Sequence, residues 1–578
     1  MEKGKHNTKK TAQRVNEDKS SGSARKNGNP DNNKPRRNAH AGINYIQEQV
    51  MNNVLRGILA VIYGLLFVWI LTLIFGMQGV LNVLTEKGFP LKNIIFIIIG
   101  CCGIALLFWM NIHYGHRIEV FLQKWHRAIL WISLGILFTW QVYSCYGGYF
   151  QSGWDAGIIR NTVGLEYSGN YAQISNGYFS WFPNNKLLVW LFQEIARFAA
   201  FIGYSNWEFS LVIFQCILDA ASIYLVYRVA IHCVRNQRLA FLIFFTAYLF
   251  VGISPWFIVA YSDATGFLFP ILSVRLYQRV NESKHQTKGI IWGLLLGFVS
   301  MAGFYIKPQV FIVFIAFLLT DICCLIGKDF KNRLPAFLKD AICYAAGIII
   351  FLSSYNGMIV PQLHFQTDPD STIGWQHYLM MGLNVSRDGV YSDEDYYFTR
   401  SFSTNQERNH ADLQEAKNRI TEMGAGGLFR HLSRKQFVNY GDGTFGWAVE
   451  GNSFAGDPEW AQNGISETIR SLIKPEGKNY DWFISSKQLI WVVILFFQLF
   501  VFLYRRKALS GDAERCIVAM AISVIGLTIF ELLFEARARY LFCYAPIYVI
   551  LSGWGLRNVN CLIRKVMVRK KMLQMRKR

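Results

Sequence analysis

A single aspartate and a group of cations stand out in a chain that is otherwise strongly apolar. Asp155 lies in GGYFQSGWDAGIIRNTVG (147–164), directly after an apolar run, and Arg537 and Arg539 lie in FEARARYLF (534–542). A carboxylate can accept a proton from an attacking hydroxyl, and the forked donors of arginine suit phosphate. If the fold brings them together, these residue types predict transfer of a group from a phosphate to a hydroxyl.

Each of these residues also has a structural interpretation. Asp155 could be the N-cap of a short helix that begins at Ala156. Arg537 and Arg539 could be interfacial anchors at the membrane surface. Lys307, just before a proline, is a weaker candidate for phosphate binding because it could simply snorkel. The position of these residues relative to the membrane must therefore decide between the two interpretations.

The composition predicts an all-α polytopic membrane protein. Of 578 residues, 52% are hydrophobic and 17% charged, a balance unlike that of soluble proteins. Apolar stretches such as GILAVIYGLLFVWILTLIFG are long enough to cross a hydrocarbon core of about 30 Å as a helix. Alternating strands of about ten residues are absent, so closed helices are the expected spanning structure.

The net charge of +21 predicts membrane topology rather than binding to nucleic acid. The lysines and arginines fall in short loops and in the two tails, where they determine orientation. The first fifty residues are polar and predict a disordered cytoplasmic tail. No cleavable signal peptide is evident, because the first apolar segment is long enough to stay as a span.

Thirteen apolar segments compete to be spans. They lie near 54–76, 93–112, 128–146, 187–203, 208–228, 239–256, 262–278, 289–305, 309–326, 341–358, 488–504, 516–534 and 541–556. The weakest is 187–203, which carries Glu194 and Arg197 on one helix face, a costly pair at mid-bilayer. Placing it at the surface as an interfacial or re-entrant helix leaves about 12 spans and puts every short basic loop inside.

This topology divides the chain into five regions in a plasma membrane, with both termini cytoplasmic. They are a basic tail (1–50), an N-terminal transmembrane region (51–358) with an external catalytic loop (147–207), a large external loop region (359–486), C-terminal transmembrane helices (487–556) and a second basic tail (557–578). The external loop regions are expected to be mixed in structure, with juxtamembrane helices. TIGWQHYLMMGLN and NYGDGTFGWAVEG are predicted to be loops packed against the membrane domain.

Several ionisable residues emerge on the same external face as Asp155. They are Asp263, Lys307, Glu535, Arg537 and Arg539. In the large loop, His377, Asp442 and Glu450 could hold an acceptor or could be polar surface residues without a role. A carboxylate base opposite a cation cluster is what sugar transfer from a lipid phosphate requires.

Cysteine and histidine spacing indicates neither a disulfide framework nor a zinc site. All 11 cysteines lie in or beside apolar segments or in the C-terminal tail, and the region 359–486 has none. No metal site and no cofactor are predicted, and a requirement for a divalent metal is left open.

The order of these features resembles the membrane-integral glycosyltransferases of the GT-C fold, a superfamily that includes protein O-mannosyltransferases and the aminoarabinose transferase of lipid A. The resemblance covers roughly residues 128–556. Its elements are GWDAG, YFSWFPNNKLLVWL, YSDATGFLFPIL and EARARYLFCYAPIYVILSGWGL. Two additional spans before the acidic loop, and a single carboxylate in place of a pair, depart from the family pattern.

The resemblance implies a GT-C-like fold and an inverting transfer from a polyprenyl-phosphate-linked sugar to a cell-surface glycan or glycolipid. Asp155 would be the catalytic base, Arg537 and Arg539 would contact the carrier-lipid phosphate, and Asp263 would line the same cavity. Two alternatives are a polymerase or ligase of lipid-linked oligosaccharides and, because of the many spans, a polysaccharide or lipid transporter.

Overall fold

The computed structural model describes residues 53–78, 88–174, 176–283, 285–326, 330–365, 367–451, 453–503 and 511–577. The α-helices are α1 (Asn53–Gly76), α2 (Asn93–Gly148), α3 (Trp154–Ser168), α4 (Asn176–Trp181), α5 (Lys186–Phe201), α6 (Trp207–Val234), α7 (Gln237–Ala247), α8 (Ser262–Gly266), α9 (Leu268–Glu282), α10 (Gln286–Ile306), α11 (Ile312–Leu325), α12 (Phe330–Ser354), α13 (Trp375–Gly382), α14 (Asp393–Arg400), α15 (Asn405–Tyr440), α16 (Ser466–Ile473), α17 (Tyr480–Gln498), α18 (Gly511–Leu533) and α19 (Ala545–Lys577). The predicted all-α class is confirmed.

Short non-α elements occur at the connections. The strands β1 (Gln151–Ser152) and β2 (Phe454–Gly456) pair in an antiparallel sheet that joins two loops about 300 residues apart. Three π-helical turns lie at Tyr248–Gly252, Tyr355–Ile359 and Trp447–Gly451.

Eight helical stretches within the described residues are long and apolar enough to cross a membrane. They are Asn53–Gly76, Asn93–Gly148, Trp207–Val234, Gln286–Ile306, Pro308–Leu325, Phe330–Gln362, Tyr480–Gln498 and Gly511–Leu533. The polytopic class is therefore supported by length and composition. The number twelve stays a prediction, because the segments predicted near 239–256, 262–278 and 541–556 form helices outside this set.

The predicted spans 93–112 and 128–146 form one helix, α2, which folds back on itself. Asn93 near its start accepts a hydrogen bond from Gln488 at 2.9 Å, and the adjacent Lys487 donates to two carbonyls of the turn Tyr248–Gly252. Leu137 packs against the last residue of that same turn. A straight helix would separate Asn93 and Leu137 by about 66 Å. Helix α2 must therefore bend, because both Asn93 and Leu137 lie near the turn Tyr248–Gly252.

Side-chain caps account for several helix starts. Asn206 accepts from the backbone N–H of Phe209 at the start of α6, and Asn236 accepts from that of Leu239 at the start of α7. In α15, Thr404 and Glu407 form a reciprocal capping box. Sequence alone marks these boundaries because Asn and Thr precede apolar or helix-forming runs.

Helices α10 and α12 pack closely through glycines. A Cβ at Gly297 would collide with the carbonyl of Tyr344, and one at Gly347 with the carbonyl of Leu294. Small residues let two helix backbones approach where lipid offers no hydrophobic driving force. These glycines fix the frame from which Lys307 emerges at the end of α10.

The external loop region is mainly helical, and TIGWQHYLMMGLN is not a loop. It contains α13, which begins after Gly374 and ends at Gly382. The flanking glycines signal the helix ends rather than an irregular segment, which is why the loop prediction was wrong. The predicted packing against the membrane domain is confirmed for NYGDGTFGWAVEG, since Tyr440, Phe445 and Trp447 belong to the main core.

Three further predictions concern the segment 187–203 and the basic ends and loop of the chain. The segment 187–203 corresponds to α5, where Glu194 and Arg197 form an exposed ion pair at 2.6 Å. The tail 1–50 and the basic residues 505–507 lie outside the described residues. The basic tail 557–578 continues α19 to Lys577.

Candidate active site

Asp155 lies in the first turn of α3, and the alternative that it caps this helix is wrong. The helix begins at Trp154, and its N-cap is Gly153, two residues before Asp155, so the Asp155 side chain does not occupy the cap position. The carboxylate instead stands in the first turn, where the helix dipole favours negative charge.

The backbone around Asp155 is strained. Trp154 has φ of 42°, a left-handed value that is rare for an aromatic residue. The last residue of GWDAG, Gly157, must be glycine because a Cβ there would lie 2.6 Å from the carbonyl oxygen of Ser152. Strained backbone of this kind concentrates at functional sites.

Two tyrosines lie against Asp155. The hydroxyl of Tyr261 donates to Asp155 Oδ2 at 3.2 Å. Burial, together with Tyr261 and Asp155, raises the pKa of Tyr178 far above its ordinary value, and Asn185 donates to the Tyr178 hydroxyl at 2.8 Å. Asp155 itself is half-buried, so a substrate hydroxyl can approach it.

The segment Glu535–Tyr540 follows the end of α18 and is held by a buried lysine. Lys435 Nζ donates to the carbonyls of Gly382 at 2.7 Å, Leu532 at 2.9 Å and Phe534 at 2.6 Å. These bonds satisfy the carbonyls that a helix end leaves unpaired. Burial lowers the pKa of Lys435 to about 7, although Glu535 and Glu531 oppose this effect. Sequence reasoning missed Lys435, since it resembles its exposed basic neighbours.

Arg537 is held in a well-ordered ion pair. Its Nε donates to Glu535 Oε1 at 2.7 Å, and the Tyr540 hydroxyl donates to Glu535 Oε2 at 2.8 Å. Burial alone would raise the pKa of Glu535, but Arg537 and Arg539 outweigh burial and lower it. Arg537 Nη1 also lies 3.0 Å from Glu450 Oε2.

Arg539 is buried among aromatic rings. Its guanidinium carbon lies 4.6 Å from the ring centre of Trp154, 5.9 Å from that of Tyr261 and 5.8 Å from that of Tyr540. Only 8% of the residue is exposed. Such cation–π contacts hold the guanidinium plane in place without using its N–H donors.

The donors of Arg539 are not satisfied in the way those of Arg537 are. Nε lies 2.8 Å from Glu450 Oε2 and Nη1 lies 3.7 Å from Asp263 Oδ2. Neither contact has hydrogen-bond geometry, and Arg539 Nε lacks a hydrogen-bond acceptor in the described part of the chain. A buried guanidinium with unmatched donors indicates a site for an anionic ligand.

Lys307 and Asp263 form a direct buried ion pair. The Lys307 ammonium also lies 5.0 Å from the ring centre of Tyr540. Asp263 stands in the first turn of α8, and the Cys543 thiol donates to its backbone carbonyl. The turn YSDATG and the segment EARARY are thus in direct contact.

The structure brings together seven of the nine residues singled out from sequence. They are Asp155, Asp263, Lys307, Glu450, Glu535, Arg537 and Arg539. If all are ionised, four carboxylates face three cations, so the cluster carries a net charge of −1. An anion therefore binds here in one of two ways. It replaces one of the carboxylates, or it accepts hydrogen bonds from the unmatched donors of Arg539.

Asp442 and His377 lie outside this cluster. Asp442 is buried and accepts from the N–H groups of Thr444 and Gly446 and from the Thr444 hydroxyl. It thereby fixes the turn that precedes Glu450. His377 is buried beside Thr399, and burial lowers its pKa to about 4. We assign neither residue a contact with an acceptor.

No group of three or more His, Cys, Asp or Glu side chains within the described residues has the arrangement of a metal site. The question of a divalent metal therefore stays as open as the sequence left it.

A comparison with protein families identifies the family of this chain. A model of the family described as conserved hypothetical integral membrane protein matches residues 48–558. The chain belongs to this family. No curated protein and no solved structure matched the chain. Family membership establishes an integral membrane protein and agrees with the apolar helices of the fold.

Proposed function

We propose that the protein is a glycosyltransferase of the GT-C type, which moves a sugar from a polyprenyl-phosphate donor to a hydroxyl of a cell-surface glycan or glycolipid. One observation carries this proposal. Asp155 and Arg539, which come from opposite ends of the chain, share the same two aromatic neighbours, Trp154 and Tyr261. A candidate base and a candidate anion-binding cation therefore lie close together, against the same two rings.

The chemistry balances with the residues present. Asp155 takes the proton of the acceptor hydroxyl as its oxygen attacks the anomeric carbon, while the bond from that carbon to the phosphate oxygen breaks. The departing lipid phosphate gains one negative charge, which Arg539 stabilises with its unmatched donors. No general acid is needed because phosphate is a good leaving group. Attack opposite the leaving group inverts the anomeric centre.

The other residues have supporting roles. Arg537 is bonded to Glu535 through Nε, so it orients the segment and adds positive charge, while its Nη1 faces Glu450. Lys307 is paired with Asp263, and it likewise adds positive charge to the cluster. Lys435 is a positioning residue that holds the end of α18 from which Arg537 and Arg539 extend.

The proposed membrane orientation follows from charge. The lysine- and arginine-rich loops and both termini face the cytoplasm of a plasma membrane, and the cluster faces outward. Lipid-linked sugars rather than nucleotide sugars are the donors expected on that side.

The test uses cells that lack the gene and carry full-length variants. We expect Asp155→Asn to lower sugar transfer in isolated membranes by about 10²-fold to 10⁴-fold, and the sugar-loaded polyprenyl phosphate to accumulate by mass spectrometry. Asp393→Asn is the matched control, because Asp393 is exposed in α14 and its side chain bonds only to Tyr391 among the described residues. Undiminished transfer by Asp155→Asn would remove the base assignment.

The same membranes separate the alternatives. Supplying monosaccharide-lipid and oligosaccharide-lipid separately distinguishes a monosaccharide transferase from a polymerase or ligase, which needs the oligosaccharide. A transporter would move labelled lipid-linked sugar across the membrane without forming a new glycosidic bond.

A further inference from the structure

Glu450 occupies a special place in the cluster, because one of its oxygens touches both arginines. Glu450 Oε2 lies 3.0 Å from Arg537 Nη1 and 2.8 Å from Arg539 Nε. A single anionic oxygen between two guanidiniums is the arrangement that a phosphate oxygen adopts on an arginine pair. The carboxylate and a donor phosphate therefore require the same point.

The Glu450 contact is electrostatic rather than a fitted hydrogen bond. Both Glu450 Oε2 and Arg539 Nε lack an aligned hydrogen-bond partner within the described residues. Glu535, by contrast, accepts aligned bonds from Arg537 and Tyr540. Of the two carboxylates that contact Arg537, Glu450 is the one whose displacement breaks fewer hydrogen bonds.

The turn that carries Glu450 begins at a buried anchor, Trp447. Trp447 is buried and its indole N–H donates to the carbonyl of Ile473 at 2.7 Å. Before it, Phe445 and Gly446 have φ of 59° and 76°, and Glu450 lies on the last part of the π-helical turn. Glu450 therefore extends from the part of the turn that lies beyond this anchor.

We propose that Glu450 is a displaceable carboxylate that bridges Arg537 and Arg539 and is replaced by the phosphate of the lipid donor. This inference rests on the proposed glycosyl transfer. A sugar phosphodiester carries one negative charge, as Glu450 does, so the exchange leaves the charge of the cluster unchanged. The monophosphate product carries more negative charge, so the arginines favour the product-like transition state over the bound donor. A neutral polyprenol cannot displace Glu450 and is thereby rejected.

The experiment measures equilibrium binding of radiolabelled farnesyl phosphate to the purified full-length protein in lipid nanodiscs, with farnesol as the neutral control. We expect the wild type to bind farnesyl phosphate but not farnesol, and Arg539→Gln to lose most of this binding. Glu450→Gln should bind about tenfold more tightly, because the phosphate no longer competes with a charged group. Asp457→Asn is the matched control, since Asp457 pairs with Arg470 away from the cluster, and its affinity should equal that of the wild type.

The outcomes separate this inference from the proposed function. If Glu450→Gln binds with equal or lower affinity while Arg539→Gln still loses binding, Glu450 is not displaced but the phosphate site stands. If binding is absent or independent of Arg539, the glycosyltransferase proposal itself fails. Should Glu450→Gln not fold, Glu450→Asp retracts the carboxylate by one methylene. Its affinity should then rise severalfold, and an unchanged or lower value overturns the inference.

Discussion

Two arginines on the predicted external side, the half-buried Arg419 and the buried Arg539, differ in how completely their donors are matched. Arg419 in α15 donates to both oxygens of Asp395 at 2.6 and 3.2 Å, to Glu415 at 2.9 Å and to the carbonyl of Met380 at 2.8 Å. Arg539 lies among three rings and touches two carboxylates without one aligned bond within the described residues.

The difference separates a structural network from a binding site. A buried charge is tolerated when every donor is satisfied, and then it fixes a fold. A buried charge with unmatched donors is costly and persists where a ligand supplies the missing bonds. Arg419 therefore belongs to the architecture of the external helices, and Arg539 belongs to the candidate site.

The largest expected effect is on stability at the matched arginine. Arg419→Gln should lower the free energy of unfolding of the external helices by about 3–5 kcal/mol, because Asp395 is left buried without its cation. Hydrogen exchange in α13–α15 measures this loss. Farnesyl phosphate binding should be retained at temperatures where the variant is folded. A loss of binding by the folded variant would contradict the assignment of Arg419 to the architecture alone.

The second effect is on function at the unmatched arginine. Arg539→Gln should reduce kcat/KM for sugar transfer by about 10²-fold to 10³-fold, the cost of losing one donor to a developing anion. The thermal unfolding midpoint should change little, since Arg539 donates no fitted bond. A large fall in that midpoint would instead make Arg539 a structural residue like Arg419.

The third effect is a pH dependence of stability that arises from His377. This histidine interacts electrostatically with both Glu535, in the candidate site, and Asp395, the partner of Arg419. Burial lowers its pKa from 6.5 to about 4. The unfolded chain then binds more protons between those values, so stability falls as pH drops from 6.5 to 4, by up to about 3 kcal/mol.

His377→Gln should remove this loss while keeping a donor toward Thr399. Burial raises the pKa of the nearby Asp412 to about 6, which gives the opposite slope between 3.8 and 6. Asp412 titrates in both proteins, so the difference between their unfolding midpoints across pH isolates His377. Parallel curves for wild type and variant would contradict the prediction.

The smallest effect concerns the orientation of Asp155. Tyr261→Phe removes the hydroxyl that donates to Asp155 at 3.2 Å but keeps the ring beside Arg539. We expect kcat to fall by about tenfold, the low end of the value of a hydrogen bond to a charged acceptor, with farnesyl phosphate affinity unchanged. A loss of affinity would mean that the ring itself has moved.

Sequence could predict the parts that depend on charge and hydropathy. The all-α class follows from apolar runs, and the grouping of Asp263, Lys307 and Arg539 follows from assigning loops to one face by the positions of basic residues. Each of these signals is local, so a single chain is enough to detect it.

The rest depends on distant packing. Glu450 meets Arg539 across about 90 residues, and no spacing rule connects them. Lys435 is buried because α15 lies on the end of α18, although its sequence neighbours are equally basic. The fold-back of α2 and the left-handed backbone at Trp154 likewise arise from contacts with other elements. These features decide which charges are matched, and hence which residue of the cluster is available to a ligand.

The small sheet between β1 and β2 has a consequence for biosynthesis. Asp155 leaves the ribosome about 380 residues before Arg539, a delay of roughly 20 to 80 s at ordinary elongation rates. During most of that interval β1 lacks its partner strand, because β2 follows it only about 300 residues later in the chain. The two halves of the cluster therefore meet only after the segment Glu535–Tyr540 has been made, so a chain that ends before this segment lacks the proposed site.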